Sequence, residues 1–256
     1  MIVTADAEAA RRANRRPAIE GWNTAFIGAN RFTRTEGEPE PEKDSLYPMA
    51  FLVEKQPGSV VMPHFHQADQ FQVVVAGSGT LGTHAVSGIA IHYTDRYSAY
   101  GPIRASHEGI AWFTLRNAWD PGARAMPAHR AELRAARAHH QHREATAATA
   151  RALDMALLRQ LTAARCTEVL APSADGLGVW RHALPPGAAV RGPDPRHGGG
   201  QFWLVLAGSL SAGGSAPLPA NSCVFAAPDE DGPVAVAAGA DGAEALCLQF
   251  PGRVRH

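Results

Sequence analysis

Short apolar runs broken by glycine and proline recur along most of this chain, and runs of that length predict β-strands rather than helices. The first series includes Tyr47 to Val53, Phe71 to Ala76, Ile91-His92-Tyr93 and Ala111 to Leu115. A second strand-rich series runs from Glu168 to Pro251. Two stretches differ. Ala5 to Arg16 is rich in Ala and Arg, with Asp6 placed as an N-cap and Pro17 as a stop, and predicts a short helix. Residues 119–165 turn to Ala, Arg and His with few β-branched side chains, and Leu153, Leu157, Leu158 and Leu161 recur at helical spacing, which predicts a helical linker. Glu36 to Pro41 is a polar surface loop. Many short strands with Gly and Pro between them point to a sandwich or barrel.

The strand pattern repeats. Gln70-Phe71-Gln72-Val73-Val74-Val75-Ala76-Gly77-Ser78 returns as Gln201-Phe202-Trp203-Leu204-Val205-Leu206-Ala207-Gly208-Ser209, 131 positions later. Pro57-Gly58 returns as Pro186-Gly187, and Gly101-Pro102 as Gly232-Pro233. Three matches at a nearly constant offset predict an internal duplication.

Candidate chemistry sits in the first copy. His64 and His66 are two residues apart, so on a strand their rings share one face. Their nitrogens can then meet one ion at about 2.0 to 2.2 Å. Gln70 has the same parity and reaches that point if Gln67 to Asp69 turns the strand; Asp69 has the opposite parity and faces away. Gln72 shares the parity of Gln70, either to brace the interior or to orient a ligand.

The run Gly58, five residues, His64-Phe65-His66, three residues, Gln70, six residues, Gly77 resembles the first signature of the cupin family, with Gln70 where that signature has glutamate. The resemblance implies a mainly β chain of two cupin-type jelly-roll barrels, and the divisions expected are 1–118, a helical linker 119–165, and 166–256. It also implies one divalent transition metal per chain, held by His64, His66 and Gln70. Fe(II) is favoured, with Mn, Ni, Cu or Zn open. In the second copy His66 maps to His197 and Gln70 to Gln201, but His64 maps to Pro195. That half is expected to be degenerate, with Gln201 and His197 as hydrogen-bonding or solvated groups.

The family's second signature lies poorly on Pro102 to His107, because Arg104 stands where glycine belongs. The repeat places His107 in a turn and moves the third-ligand position to Tyr100. His92 on the preceding strand is a further candidate, and the third ligand remains open among Tyr100, His107, His92 or none. Tyr100 and Gln72 are the expected catalytic residues, contacting substrate or bound oxygen. In the cupins that this chain resembles, sites with histidines and no carboxylate are associated with dioxygenases of thiols, diketones and hydroxylated aromatics, so the expected function is a mononuclear oxygenase of a small organic molecule. A metal-dependent isomerase or lyase, or a non-catalytic bicupin that binds a small ligand, are the alternatives. His139-His140-Gln141-His142 reads more simply as an exposed helix end than as a second metal site. Arg104 and Arg116 flank the site region and read as surface arginines. Trp112, Phe113, Trp180 and Trp203 read as core aromatics.

Charge narrows the partners. The chain has 24 basic and 24 acidic residues, which gives no electrostatic case for nucleic acid or an anionic membrane. Cys166, Cys223 and Cys247 are odd in number and scattered, as reduced cytoplasmic thiols are. No apolar run approaches the roughly 20 residues of a membrane span. A homodimer is compatible with the family's edge-to-edge pairing, although two barrels in one chain can pair with each other.

Overall fold

A computed structural model of the chain describes residues 1–29, 33–34, 37–137 and 140–252. Glu36 of the expected polar loop and His139 of the histidine run lie outside the described residues. The chain divides into two compact units, one made of residues 14–150 and the other of Met1–Ala13 with the residues from Arg151 onward. Both are built from antiparallel strands among the described residues.

In the unit of residues 14–150 the sheet runs in the order Glu144–Thr149, Ile89–Thr94, Gln70–Leu81, Ile103–Ala118, Leu46–Lys55, Gly21–Ile27, Arg15–Ala18. Val60–Val61 pairs with the long strand Ile103–Ala118, and His84–Ser87 with Gln70–Leu81. His64–Phe65 lies apart in a two-stranded ribbon with Arg124–Ala125. Val74, Leu81, Tyr100, Ile103 and Trp112 form a buried cluster on the inner side. Pro17, expected as a helix stop, sits in the end strand Arg15–Ala18, the place in a sheet where a missing N–H is tolerated.

The other unit orders Ile2–Ala5, Cys223–Ala226, Gln201–Ala212, Ala235–Gln249, Gly178–Leu184, Arg165–Leu170. Its core gathers Leu184, Trp203, Val205, Leu210, Val224 and Cys247. Residues 1–118 were expected to form one division, yet the pairing of Ile2–Ala5 with Cys223–Ala226 gives the chain's start to the second unit. The first helix is Ala7–Asn14, and the Asp6 carboxylate accepts from the Ala9 amide at 2.8 Å as an N-cap should.

The linker is only partly helical. Arg130–Arg137 and Met155–Gln160 are helices, but Glu144–Thr149 between them is a strand paired along its whole length with Ile89–Thr94. Six ladder partners, with two β-branched Thr favouring a strand, outweigh the helical preference of the segment's alanines. Leu158 is the residue of the expected leucine stripe that reaches the core; its complete burial contributes roughly 2 kcal/mol, while Leu157 is exposed.

The glycines carry the repeat into geometry. Gly58 and Gly187 have φ of +75° and +69° with open space where a side chain would stand. Gly77 and Gly208 have φ of +71° and +69°, and a Cβ on either would lie 2.1 Å from a carbonyl oxygen, of Gly109 in one unit and Gly242 in the other. The two units thus make the same turns and the same close approaches at the positions that the sequence repeat aligns. No helix among the described residues is long and apolar enough to cross a membrane.

Candidate metal centre

The two histidines come to the site by different supports. His64 exchanges both backbone hydrogen bonds with Tyr100, at 3.1 and 3.0 Å. Phe65 turns the other way, into a small cluster with Tyr97 and Leu133. His64 and His66 are both nearly buried, with ring centroids 5.1 Å apart.

Hydrogen bonding decides which nitrogen of each ring carries its proton. His64 Nδ1 lies 2.7 Å from the Met62 carbonyl, an acceptor only, so Nδ1 donates and Nε2 holds the lone pair. The Tyr100 hydroxyl, 2.9 Å from that Nε2, donates to it. His66 Nδ1 lies 2.7 Å from Asp120 Oδ2. Burial alone would raise the Asp120 pKa, but the Arg116 guanidinium and the hydrogen bonds from His66 and Gln67 outweigh it and hold the carboxyl well below its usual range. Facing an ionised carboxylate, His66 Nδ1 is the donor. The Arg116 Nη2 group, 3.0 Å from the same nitrogen, finds its acceptor in Gln70 Oε1 at 3.0 Å. With Nδ1 donating in each, the neutral form of either ring has its lone pair at Nε2. Burial and the neighbouring His66 push His64 down to about 4, which keeps it neutral near pH 7.

Tyr100 stands at the centre. Its oxygen accepts from Gln70 Nε2 at 2.6 Å and from the Gln72 side chain, and it touches the ring of His92, with centroids 5.1 Å apart. Burial pushes its phenol above the ordinary range, against the pull of the amide of Gln70. Gln72 Oε1 accepts from His92 Nδ1 at 3.1 Å, and His92 Nε2 meets Glu144 Oε1 at 3.0 Å. The hydrogen bond from His92 leads the causes that lower the Glu144 pKa.

Several expectations change here. Gln70 was expected as a ligand, but its carbonyl oxygen, the atom an ion would need, accepts from Arg116 Nε and Nη2 at 3.3 and 3.0 Å. Arg116, expected at the surface, is 3% exposed and stands opposite Gln70 in the ladder. His107 is exposed in the strand Ile103–Ala118, away from the pair. Asp69 accepts from the Arg96 amide at 2.9 Å. His140 stacks on Tyr97 at 4.8 Å. Sequence reasoning missed Asp120, which takes four donors: His66 Nδ1, the amides of Gln67 and Gly122, and Arg116 Nη1.

Among the described residues no three His, Cys, Asp or Glu side chains stand together as an ion would require. The donors that fit a divalent transition ion are two imidazole Nε2 atoms and the Tyr100 oxygen. Anchoring of each Nδ1 by a carbonyl or carboxylate is the support that ligating histidines receive in metalloproteins.

In the second unit the corresponding place is filled. Gln201 donates to the Pro193 carbonyl and to Gln249 Oε1, both at 3.0 Å, and accepts from Trp203 Nε1 at 2.8 Å. His197 is exposed. Trp203→Phe is expected to cost about 1 to 2 kcal/mol by removing the indole donor to Gln201, with metal content unchanged, as a thermal melt and elemental analysis would report.

No family model matches the sequence. No curated protein matches it either. Solved structures do match. A provisionally named dioxygenase of Nostoc punctiforme superposes with a TM-score of 0.59 at 13% identity, over 99% of this chain and 85% of that one. A bacterial pirin of Escherichia coli in complex with nickel(II) gives 0.57 at 10%, over 99% and 100%. Oxalate decarboxylase of Bacillus subtilis, studied for its Mn(II) centres, gives 0.58 at 9%, over 100% and 78%. The fold is that of the cupins. In this chain the two histidines of the His-x-His pair stand side by side in the first unit, while the position that the resemblance gives to glutamate holds an amide turned toward Arg116.

Proposed function

We propose that this cupin is a metal-dependent oxygenase, dioxygenase-like, acting on a small organic molecule at the centre around His64, His66 and Tyr100. The observation that carries the reading is the shared anchoring of the two histidines, each with Nδ1 held by an acceptor at 2.7 Å, which leaves Nε2 as the ligating atom of the neutral ring. His64, His66 and Tyr100 would hold one divalent transition ion, Fe(II) by preference. When bound, such an ion supplies Lewis acidity and redox capacity that side chains lack. The protein's own part is to exclude water and to orient. Gln70 and Gln72 aim amide donors at the Tyr100 oxygen, which fixes the phenol beside His64 Nε2. The two units are read as duplicated cupin domains, of which the second has exchanged its site for a closed amide and indole network.

A redox-neutral isomerase or lyase is the second reading. The Tyr100 hydroxyl and His64 Nε2, 2.9 Å apart and buried, form a pair suited to passing a proton to and from a bound carbonyl compound.

Untagged protein purified without added metal is expected to carry about one transition-metal ion per chain by elemental analysis, and His64→Ala to carry almost none. Wild type with no metal and no affinity for added Fe(II), Mn(II) or Zn(II) would overturn both readings. Oxygen uptake with diketones, thiols and catechols then separates them.

A further inference from the structure

We propose that the first unit carries a binding site for a small oxyanion, a phosphate or a carboxylate, on the outer face of its sheet around Arg104. The site shares no residue with the centre at His64, His66 and Tyr100 and stands independently of the metal reading.

Three neighbouring strands build it. Ser78 lies opposite Ser87, Thr80 opposite Ala85, and Arg104 opposite Thr80, so these side chains share one face. Ser106 joins them, with its Oγ 2.8 Å from that of Ser78. The intervening Val86 turns inward to the buried cluster with Val74 and Leu81, and Ala105 packs against the same cluster. Every outward side chain except Arg104 is small, which leaves a depression of about 450 Å³ whose outward lining is Ser78, Thr80, Ala85, Ser87, Arg104 and Ser106.

Its donors are unused. Arg104 is exposed, and its guanidinium has no hydrogen-bond or ion-pair partner among the described residues; the hydroxyls of Thr80 and Ser87 have none there either. Glu108, four positions on, does not supply the missing charge. Its carboxylate accepts from Ser78 Oγ at 3.2 Å, and its amide donates to Ser106 Oγ at 3.1 Å. A planar fork of N–H groups beside free hydroxyl donors matches the acceptor oxygens of a phosphate or carboxylate. The repeat isolates the feature. Ser211 stands 131 positions after Thr80, and the ladder of the second unit sets Ala237 opposite it, so the cation belongs to the first copy.

Titration of the full chain with inorganic phosphate, with acetate and with chloride at matched ionic strength, followed by amide NMR, tests the site. Phosphate or acetate is expected to shift the amides of Thr80, Ser87 and Arg104 saturably, with a Kd of about 1 to 10 mM, while chloride does not. Tighter binding of phosphate identifies a phosphate ester as the ligand class, and tighter binding of acetate a carboxylate. Arg104→Gln is expected to weaken the binding at least about tenfold by removing the charged fork. Ser87→Asp is expected to abolish it by repulsion. Both positions are exposed, so neither change disturbs the core, and each variant checks the other. No saturation by either anion, the same response to chloride, or unchanged affinity in Arg104→Gln overturns the site and leaves the metal reading intact.

Discussion

Asp120→Ala is expected to lower the stability of the unit of residues 14–150 by about 3 to 5 kcal/mol, the usual range when one partner of a buried ion pair is removed. The Arg116 guanidinium would lose its counter-charge at 3% exposure, and the amides of Gln67 and Gly122 and the His66 Nδ1–H would lose their acceptor. Chemical denaturation measures the loss directly. Asp120→Asn separates support of the fold from support of the histidine, because an amide oxygen can still accept from backbone groups without the charge that fixes His66. It is expected to cost less stability yet to weaken metal binding by about 10- to 100-fold in a chelator competition. Asn with wild-type metal affinity would sink the anchoring role of Asp120.

Gly77→Ala should be the more damaging of two glycine substitutions that look alike in sequence. Both Gly58 and Gly77 have positive φ, so alanine at either pays about 1 to 2 kcal/mol for the left-handed conformation. At Gly58 the cost ends there, since nothing stands within 4 Å of the added carbon. At Gly77 the carbon would lie 2.1 Å from the Gly109 carbonyl oxygen and 3.0 Å from the Ile110 Cα, so the ladder between Gln70–Leu81 and Ile103–Ala118 must open. A loss of several kcal/mol is expected, beyond the conformational term alone. Equal melting temperatures for the two variants would contradict this account.

These cases show why parts of the molecule could be read from its sequence and others could not. The His64, His66 and Gly77 positions announce themselves because strand parity and tight turns are local properties. Tyr100 was reachable through the repeat, which assigned its place by counting rather than by motif, and its ladder bond to His64 follows from that place. Arg116 and Asp120 were not reachable. They meet His66 from 50 and 54 positions away, through the register of two long strands that no local pattern encodes. The same cause misread Gln70: parity brought its side chain inside, but the direction of its carbonyl depends on Arg116 arriving opposite. Glu144–Thr149 was misread for a related reason, since an alanine-rich segment takes the form of whatever strand offers it partners.

The pairing of Ile2–Ala5 with Cys223–Ala226 has a consequence for how the chain assembles. The two segments are more than two hundred positions apart in the sequence, so this side of the sheet closes only once they have met. Until Ile2–Ala5 docks, the strand Cys223–Ala226 presents an open row of backbone groups on that side. An identical segment from another molecule would fit the same row, which is the condition for strand exchange between copies. Ile2–Ala5 thus covers, within one molecule, the row that another copy could otherwise take.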